Sequence, residues 1–569
     1  MKRIFFVLIL MFFYLTTDAQ YIVSKFRVTF TDKNNSPYSI DNPQEFLSQR
    51  AIDRRTKQNI PVSVDDLPVN AWYIDSLKNA GAIVLTVSKW FNCVTIQTTD
   101  INVMNKVLSF PFVIDVDSLA ETSLKKGVKL KKHKDTMEGN LNYINNTPLL
   151  SSQPNIKMHE NTTSYDYGNA YSQVHMIGTD YLHEQNYRGE NMVIAVLDAG
   201  FFNVNSLRAF DSLWHNGQIL GTKDFVEPGG DVFQRSTHGM MVLSIMGGNI
   251  PGELIGTAPK AKYWLLRSED SDSEYPIEED NWVVAAEFAD SVGADIINSS
   301  LGYTDFYYDD WSYTYQNMDG QTARSTLGAK MASSRGILVV NSAGNSGNND
   351  WFYIGAPADA ENIITVGAVN SKGNISNFSS RGPTADGRLK PTVCAMGEGT
   401  YVSSSSGSIT SGNGTSFSSP VIAGSMACLW QANPNKTNLQ IIEAVIASGN
   451  RYLNPGPEYG FGVPNLMAAN LILNGNSFQN FDKENNLTVF PNPFEETFQI
   501  IFYSSDTTAM DIFLYDMTGK VVYQKEKVLR TLGCNSINIS AIGDLSKGYY
   551  TLKTITSNAT YSTKIMKLK

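Results

Sequence analysis

The 569-residue sequence has only four cysteines, Cys93, Cys394, Cys428 and Cys534. They are widely scattered and have no metal-ligand spacing, which excludes a disulfide-stapled scaffold. Cys428 lies in an apolar helical run, where a buried thiol is the simplest reading; a Cys394–Cys428 disulfide is left open. Basic charge is in deficit. Against 55 Asp and Glu there are 45 Lys and Arg, and the net charge of −10 argues against a general nucleic-acid binder. Past residue 19 no apolar run is long enough to be a membrane helix. What is present is globular in character, 42% hydrophobic and 18% charged. At about 150 residues per domain, the length suggests roughly three or four units.

Residues 1–19 read as a secretory signal. Lys2 and Arg3 supply the positive start, Ile4 to Leu15 the apolar core, and Thr17-Asp18-Ala19 a cleavage site that leaves Gln20 first. Residues 20–120 mix strand-like and helix-like segments. Ile22 to Phe30 alternates as a strand does. Pro43 to Thr56 and Trp72 to Ala80 read as helices, the second closed by Gly81. Ala82 to Val87 and Cys93 to Ile96 are β-branched. This is a small α+β domain. Residues 121–165 begin with the lysine-rich run Lys125 to Lys134, continue with Asn, Thr, Ser and Pro, and read as an exposed linker.

Residues 166–475 repeat a strand-then-helix rhythm. The strands are Met192 to Leu197, Asp295 to Asn298 and Ile337 to Asn341; the helices include Trp282 to Ser291 and Thr322 to Ser334. Short apolar strands alternating with helices imply a parallel sheet covered on both faces. In such sheets chemistry collects at the carboxyl ends of the strands. Residues 486–569 change class again. Leu487 to Phe490, Phe498 to Tyr503, Asp511 to Tyr515, Lys520 to Tyr523, Tyr549 to Thr556 and Tyr561 to Leu568 are short strands, with a hairpin turn at Met517-Thr518-Gly519. They make a small all-β module of sandwich type.

Three polar residues fall where parallel-sheet logic expects a site. Asp198 ends the strand Val193-Ile194-Ala195-Val196-Leu197. His238 stands in Thr237-His238-Gly239, at the start of an apolar helical run. Ser416 lies in Gly414-Thr415-Ser416-Phe417-Ser418-Ser419-Pro420, a small-residue turn before the apolar helix Val421 to Trp430. An exposed serine at a helix N-terminus can act as a nucleophile when a base activates it and an acid orients the base. Each residue alone has a plainer reading: a strand-end cap, a structural hydrogen-bonder, an ordinary helix start. The other five histidines, His133, His159, His175, His183 and His215, lack comparable surroundings.

Taken together, these segments resemble the subtilisin-like serine proteases, whose acid, base and nucleophile occur in the order Asp, His, Ser. The resemblance covers about 300 residues. It rests on Ala195-Val196-Leu197-Asp198-Ala199-Gly200, His238-Gly239-Met240-Met241-Val242 and the Ser416 segment. It implies Asp198, His238 and Ser416 as the catalytic residues. Two further matches are Asn341-Ser342-Ala343-Gly344-Asn345-Ser346-Gly347, whose Asn345 would donate to the oxyanion, and Ser300-Leu301-Gly302, whose backbone would pair with an extended substrate. There are departures. Ala199 follows the acid where relatives carry a hydroxyl, and Met240 stands where Thr is common. The run Tyr303 to Trp311 is aromatic and acidic, and reads either as a subsite wall or as a surface insertion packed by its own rings. The chemistry needs no cofactor. A third reading of the run Tyr303 to Trp311 is that its acidic residues bind calcium, which stabilises many relatives, but no Asp/Glu spacing here selects the ligands.

The implied fold is α/β: a three-layer, subtilisin-like parallel-sheet peptidase domain after a small α+β propeptide and before a small all-β sandwich. Residues 20–120 look like a subtilisin propeptide, an intramolecular inhibitor released by cleavage within 121–165. Residues 486–569 are similar to the C-terminal sorting domains of type IX secretion in Bacteroidetes. Their matching pieces are Val489-Phe490-Pro491-Asn492-Pro493-Phe494, Tyr515 to Val522, Gly548-Tyr549-Tyr550 and Lys564-Ile565-Met566-Lys567. The expected partners are therefore protein or peptide substrates, the propeptide and the secretion machinery, and the expected place is outside the cell or at its surface, reached through the periplasm. Two other classes are weighed. One is a surface binding protein on an inactive protease fold, against which the intact triad argues. The other is a lipase or esterase, against which the missing second glycine of Gly-x-Ser-x-Gly and the triad order argue.

Overall fold

The computed structural model describes residues 23–122, 165–474 apart from 453, and 487–568 apart from 491, 505–507, 531–532 and 558–559. The signal segment 1–19 and most of the linker lie outside the described residues. In the N-terminal region, strands β1 (Val23–Phe30), β2 (Ile83–Ser88), β3 (Cys93–Thr98) and β4 (Val113–Thr122) form an antiparallel sheet in the order β2-β3-β1-β4. Helices α2 (Ala71–Ala80) and α3 (Ile101–Leu108) bury Tyr73, Leu77, Met104 and Val107 against Val28, Phe30, Val94 and Ile96 of the sheet. Gly81 ends α2 at φ 105°, the left-handed conformation glycine adopts without a Cβ penalty. Helix α1 (Gln49–Lys57) starts later than Pro43 because Ser48 caps it, its side chain accepting from Ala51 N–H at 3.2 Å; Pro43–Glu45 is a separate single 3₁₀ turn.

The central region is built on seven parallel strands. They are β5 (Val193–Asp198), β6 (Ile219–Asp224), β7 (Lys262–Arg267), β8 (Ile296–Ser299), β9 (Leu338–Ser342), β10 (Ile364–Val369) and β11 (Val393–Met396), in the order β11-β10-β9-β8-β5-β7-β6. Alternation along β5 explains its unbroken apolar run. Ile194 and Val196 join the core under helices α4 (His238–Gly247) and α7 (Thr415–Ala432). Val193, Ala195 and Leu197 join the core under α5 (Ile277–Val292) and α6 (Arg324–Ser334) on the other face. Met240 is fully buried in the first of these cores. Cys394 and Cys428 are buried free thiols, so no disulfide joins them.

In the C-terminal region, β12 (Leu487–Phe490), β13 (Phe498–Ser504) and β16 (Gly533–Ile539) form one sheet. Strands β14 (Met510–Tyr515), β15 (Val521–Val528), β17 (Gly548–Ile555) and β18 (Thr560–Lys567) form the other. Phe498, Ile500, Ile512, Leu514, Leu552 and Ile565 share one core, as the sandwich reading expects. Gly519 supplies the positive φ of the β14–β15 turn, closed by its N–H on Asp516 O at 3.0 Å. No helix among the described residues is long and apolar enough to cross a membrane.

The N-terminal region docks on α5. Glu287 accepts hydrogen bonds from Ser88 Oγ at 2.6 Å, Lys89 N–H at 2.8 Å and Trp90 N–H at 3.1 Å. One turn on, Arg54 and Arg55 from α1 both bond the buried Asp290, and Arg55 also pairs with Asp66 at 2.8 Å. Burial alone would raise the Asp290 pKa, but Lys89, Arg54 and Arg55 hold it below the usual carboxylate value. Glu287 moves the other way, pushed up by burial against the opposing effect of Lys89 and the donated bonds.

Candidate active site

Asp198 is the last residue of β5 and fully buried. Its Oδ1 accepts from Ala199 N–H at 2.8 Å and lies 2.8 Å from Nδ1 of the buried His238, the first residue of α4. Asp198 Oδ2 has no hydrogen-bond donor among the described residues, and the methyl of Ala199 offers none. The helix can come this close because Gly239 follows the histidine. A Cβ there would lie 2.4 Å from Gly200 O and 2.9 Å from Asp198 Cβ. The imidazole plane stacks beside Phe417, with centroids 6.4 Å apart.

Ser416 lies in the first turn of α7, where N–H groups have no helical acceptor and the helix dipole favours negative charge. Its backbone and side chain are tied to Ser300. Ser300 Oγ donates to Ser416 O at 3.0 Å, and Ser416 Oγ donates to Ser300 O at 3.3 Å. The first bond has a covalent cause. Pro420, four residues on, has no N–H to give to Ser416 O, so a side chain takes its place. Asn298 Nδ2 donates to Ser300 Oγ at 3.3 Å, and Asn298 Oδ1 accepts from Ser419 Oγ at 3.0 Å.

Asn345 is half-buried on the loop after β9. Its Oδ1 accepts from Thr415 N–H at 2.8 Å and from Thr415 Oγ1 at 2.9 Å. A backbone N–H can only donate, so the amide oxygen is fixed toward Thr415 and the Nδ2 donor is turned away from it. Gly344, at φ 105°, makes this turn, and a Cβ on it would lie 2.8 Å from Ser380 Oγ. Of the three residues expected to meet substrate, Ser300 and Leu301 are buried and Gly302 is half-buried. Leu301 O already accepts from Asn341 Nδ2 at 3.1 Å. No hydrogen bond among the described residues engages the Gly302 backbone.

The sequence motifs do not by themselves assign tasks to Asn298, Asn341, Thr415 and Ser419. Two of them carried a signal: Asn298 and Asn341 are buried polar residues at the carboxyl ends of apolar strands, where an amide must have a task. The run Tyr303 to Trp311 does not pack on itself alone. Tyr303 OH donates to Glu269 Oε2 at 2.9 Å, Tyr307 N–H to Glu274 O at 3.0 Å and Tyr307 OH to Asp272 O at 3.2 Å.

With this geometry established, comparison with known proteins shows what it belongs to. Residues 189–463 match the family model described as the subtilase family. Subtilisin E from Bacillus subtilis (strain 168) is 30% identical over 315 residues, 55% of this chain and 72% of that relative. Subtilisin from Bacillus pumilus is 30% identical over 292 residues, 51% of this chain and 94% of the relative.

The chain belongs to the subtilase family.

It is a subtilisin-like serine protease. Residues 25–136 of the subtilase match a peptidase S8 propeptide domain of the Bacteroidota, and residues 488–568 match a secretion-system C-terminal sorting domain, of the type IX kind. The sorting domain marks the protein for secretion or attachment at the cell surface. Among solved structures, MycP1 from Mycobacterium smegmatis aligns at 22% identity and a TM-score of 0.41, over 55% of this chain and 86% of that one.

Proposed function

We propose that this subtilase is an endopeptidase that cleaves protein or peptide substrates through Asp198, His238 and Ser416, by way of an acyl-enzyme. The observation that carries the reading is the buried 2.8 Å contact between Asp198 Oδ1 and His238 Nδ1, at the sheet end where Ser416 opens α7. With the Nδ1 proton held by Asp198, Nε2 of His238 is the basic nitrogen. It takes the Ser416 Oγ proton as that oxygen attacks the peptide carbonyl. The oxyanion is stabilised by Ser416 N–H and Asn345 Nδ2, both preorganised by the bonds described above. His238 returns the proton to the leaving amine, and water then hydrolyses the ester with His238 as base.

Substrate binding follows from the same bonds. When Ser416 Oγ leaves Ser300 O to attack, that carbonyl is available to a substrate N–H, and the unengaged Gly302 backbone extends the pairing. This chemistry requires no cofactor. The N-terminal region acts as an intramolecular inhibitor until the linker within 121–165 is cut.

The test is Ser416→Ala in the full chain. The parent protein hydrolyses a casein substrate and sheds its N-terminal region; the variant does neither and melts at the same temperature. Undiminished hydrolysis by Ser416→Ala contradicts the proposal. A parent protein that is folded but hydrolyses nothing points instead to a binding protein on this fold.

A further inference from the structure

The carboxyl ends of three neighbouring strands carry charges in register. Asp198 of β5 lies opposite Arg267 of β7, and Arg267 lies opposite Asp224 of β6. All three side chains are buried. Taking a guanidinium out of water is costly unless its donors are matched. Those of Arg267 are spread over several partners. Nη1 donates to Asp224 Oδ2 at 2.9 Å, with Glu227 farther off at 3.9 Å, and Nη2 lies 3.6 Å from Asp270. Nε donates to Ala199 O at 3.2 Å. Asp224 is itself fixed, its Oδ1 accepting from Val226 N–H at 2.9 Å and Glu227 N–H at 2.8 Å. A planar fork with donors on two edges can bond a carboxylate and a carbonyl at once.

The carbonyl that Arg267 holds belongs to the residue after Asp198. The Asp198 carboxylate is oriented through one oxygen. Its Oδ1 takes the Ala199 N–H and faces His238 Nδ1, both at 2.8 Å, while Oδ2 accepts no hydrogen bond among the described residues. The direction of the carboxylate therefore depends on where the backbone of residues 198–200 lies. Two bonds from the end of β7 set that backbone: Ser268 N–H to Asp198 O at 3.0 Å, and Arg267 Nε to Ala199 O. The same turn seats α4. A Cβ on Gly239, beside His238, would lie only 2.4 Å from Gly200 O. A shift of this turn would move the acid and the seat of the base alike.

We propose that Arg267 is a positioning residue for the Asp198–His238 pair: anchored on Asp224, it holds the Ala199 carbonyl and so fixes the carboxylate that orients the imidazole. This rests on the reading of Asp198, His238 and Ser416 as acid, base and nucleophile. Arg267 acts through the backbone of Ala199 and not on the substrate. Lysine is no substitute. Its ammonium is a point charge on a flexible stem, able to neutralise Asp224 but without a second donor edge for Ala199 O.

The test is Arg267→Lys in the full chain, allowed to mature, with kcat and KM for a peptide substrate followed across pH. The variant keeps a positive charge opposite Asp224, so its defect reports geometry rather than lost charge. Misplacing a catalytic group by about 1 Å costs on the order of 100-fold, so kcat should fall about 10- to 100-fold with KM within about two-fold. A misaligned carboxylate stabilises the imidazolium less, so the acid limb of the kcat/KM profile should move to lower pH. A purely structural Arg267 would lower the melting temperature and leave kcat, KM and the acid limb of the folded protein unchanged, which overturns the proposal. If Arg267→Lys does not fold, Arg267→Gln and Arg267→Leu decide. The amide N–H of Gln can serve Ala199 O and the Leu side chain cannot, so Gln should keep the higher turnover; equal turnover overturns the proposal. A folded parent that hydrolyses nothing fails the triad reading, and this proposal falls with it. An active parent matched by Arg267→Lys leaves that reading intact and overturns this proposal alone.

Discussion

The helices that carry His238 and Ser416 and the surface that grips the N-terminal region lie at opposite faces of one sheet, and they are held by opposite kinds of bond. Around Ser416 the supports are neutral: Ser300, Asn298, Ser419, Thr415 and Asn341 bond one another and the backbone through hydroxyls and amides. On α5 the supports are ionic: Arg54, Arg55, Asp66 and Asp290 form a buried network, and Arg27 reaches Asp280. Neutral bonds in a buried site change little with pH or salt. A buried ionic network is strong only while every partner is charged and present. The difference suits the function proposed above, in which the catalytic site persists after maturation and the propeptide leaves.

Breaking the ionic side should have the largest effect. Asp290→Ala strands the buried Arg54 guanidinium and leaves Arg55 with Asp66 alone, a loss of about 3–5 kcal/mol by analogy with other buried pairs. The N-terminal region, supplied separately, should bind Asp290→Ala peptidase domain at least about 100-fold more weakly, measured by inhibition of peptide hydrolysis. Equal inhibition would mean that the network contributes nothing to docking. On the neutral side, Asn345→Ala should lower turnover about 100- to 1,000-fold with little change in KM, because the donor acts on the oxyanion rather than on bound substrate. A change in KM alone would remove Asn345 from that role.

Much of the candidate site is legible because its residues fall at local sequence signals. Asp198, His238 and Ser416 each stand at the junction of an apolar strand or helix with a short polar turn, and period and motif locate such junctions. The ionic grip was not legible. Arg54 and Asp290 are 236 residues apart, and nothing in either segment names the other. The apolar pattern starts helix α5 at Trp282 rather than Ile277, because its buried first turn is acidic and reads as surface. Strand β16 is hard to read from sequence because its Asn and Ser residues break the apolar pattern.

A gentler way to sharpen the comparison is pH. Asp290 is held below its ordinary pKa, and Asp66 is too, where the Arg55 bonds outweigh burial. A depressed carboxylate adds stability that is complete above its unfolded value, about 4, and is lost as pH falls through the lower folded value. Glu287, raised by burial, works in the opposite sense and blunts the effect. After linker cleavage, the N-terminal region should stay bound by size-exclusion chromatography at pH 5–7 and dissociate below about pH 4. Retention unchanged down to the acid unfolding of the peptidase domain would show that the ion pairs are not what holds it.

The most direct measurement is at Ser416 itself. After release of the N-terminal region, the protein is treated with a fluorophosphonate and the modified residue is located by mass spectrometry of peptides. A single adduct on Ser416, abolished by His238→Ala, is the predicted result. No adduct, or one on another serine, would contradict the assignment of Ser416 as the acylating nucleophile.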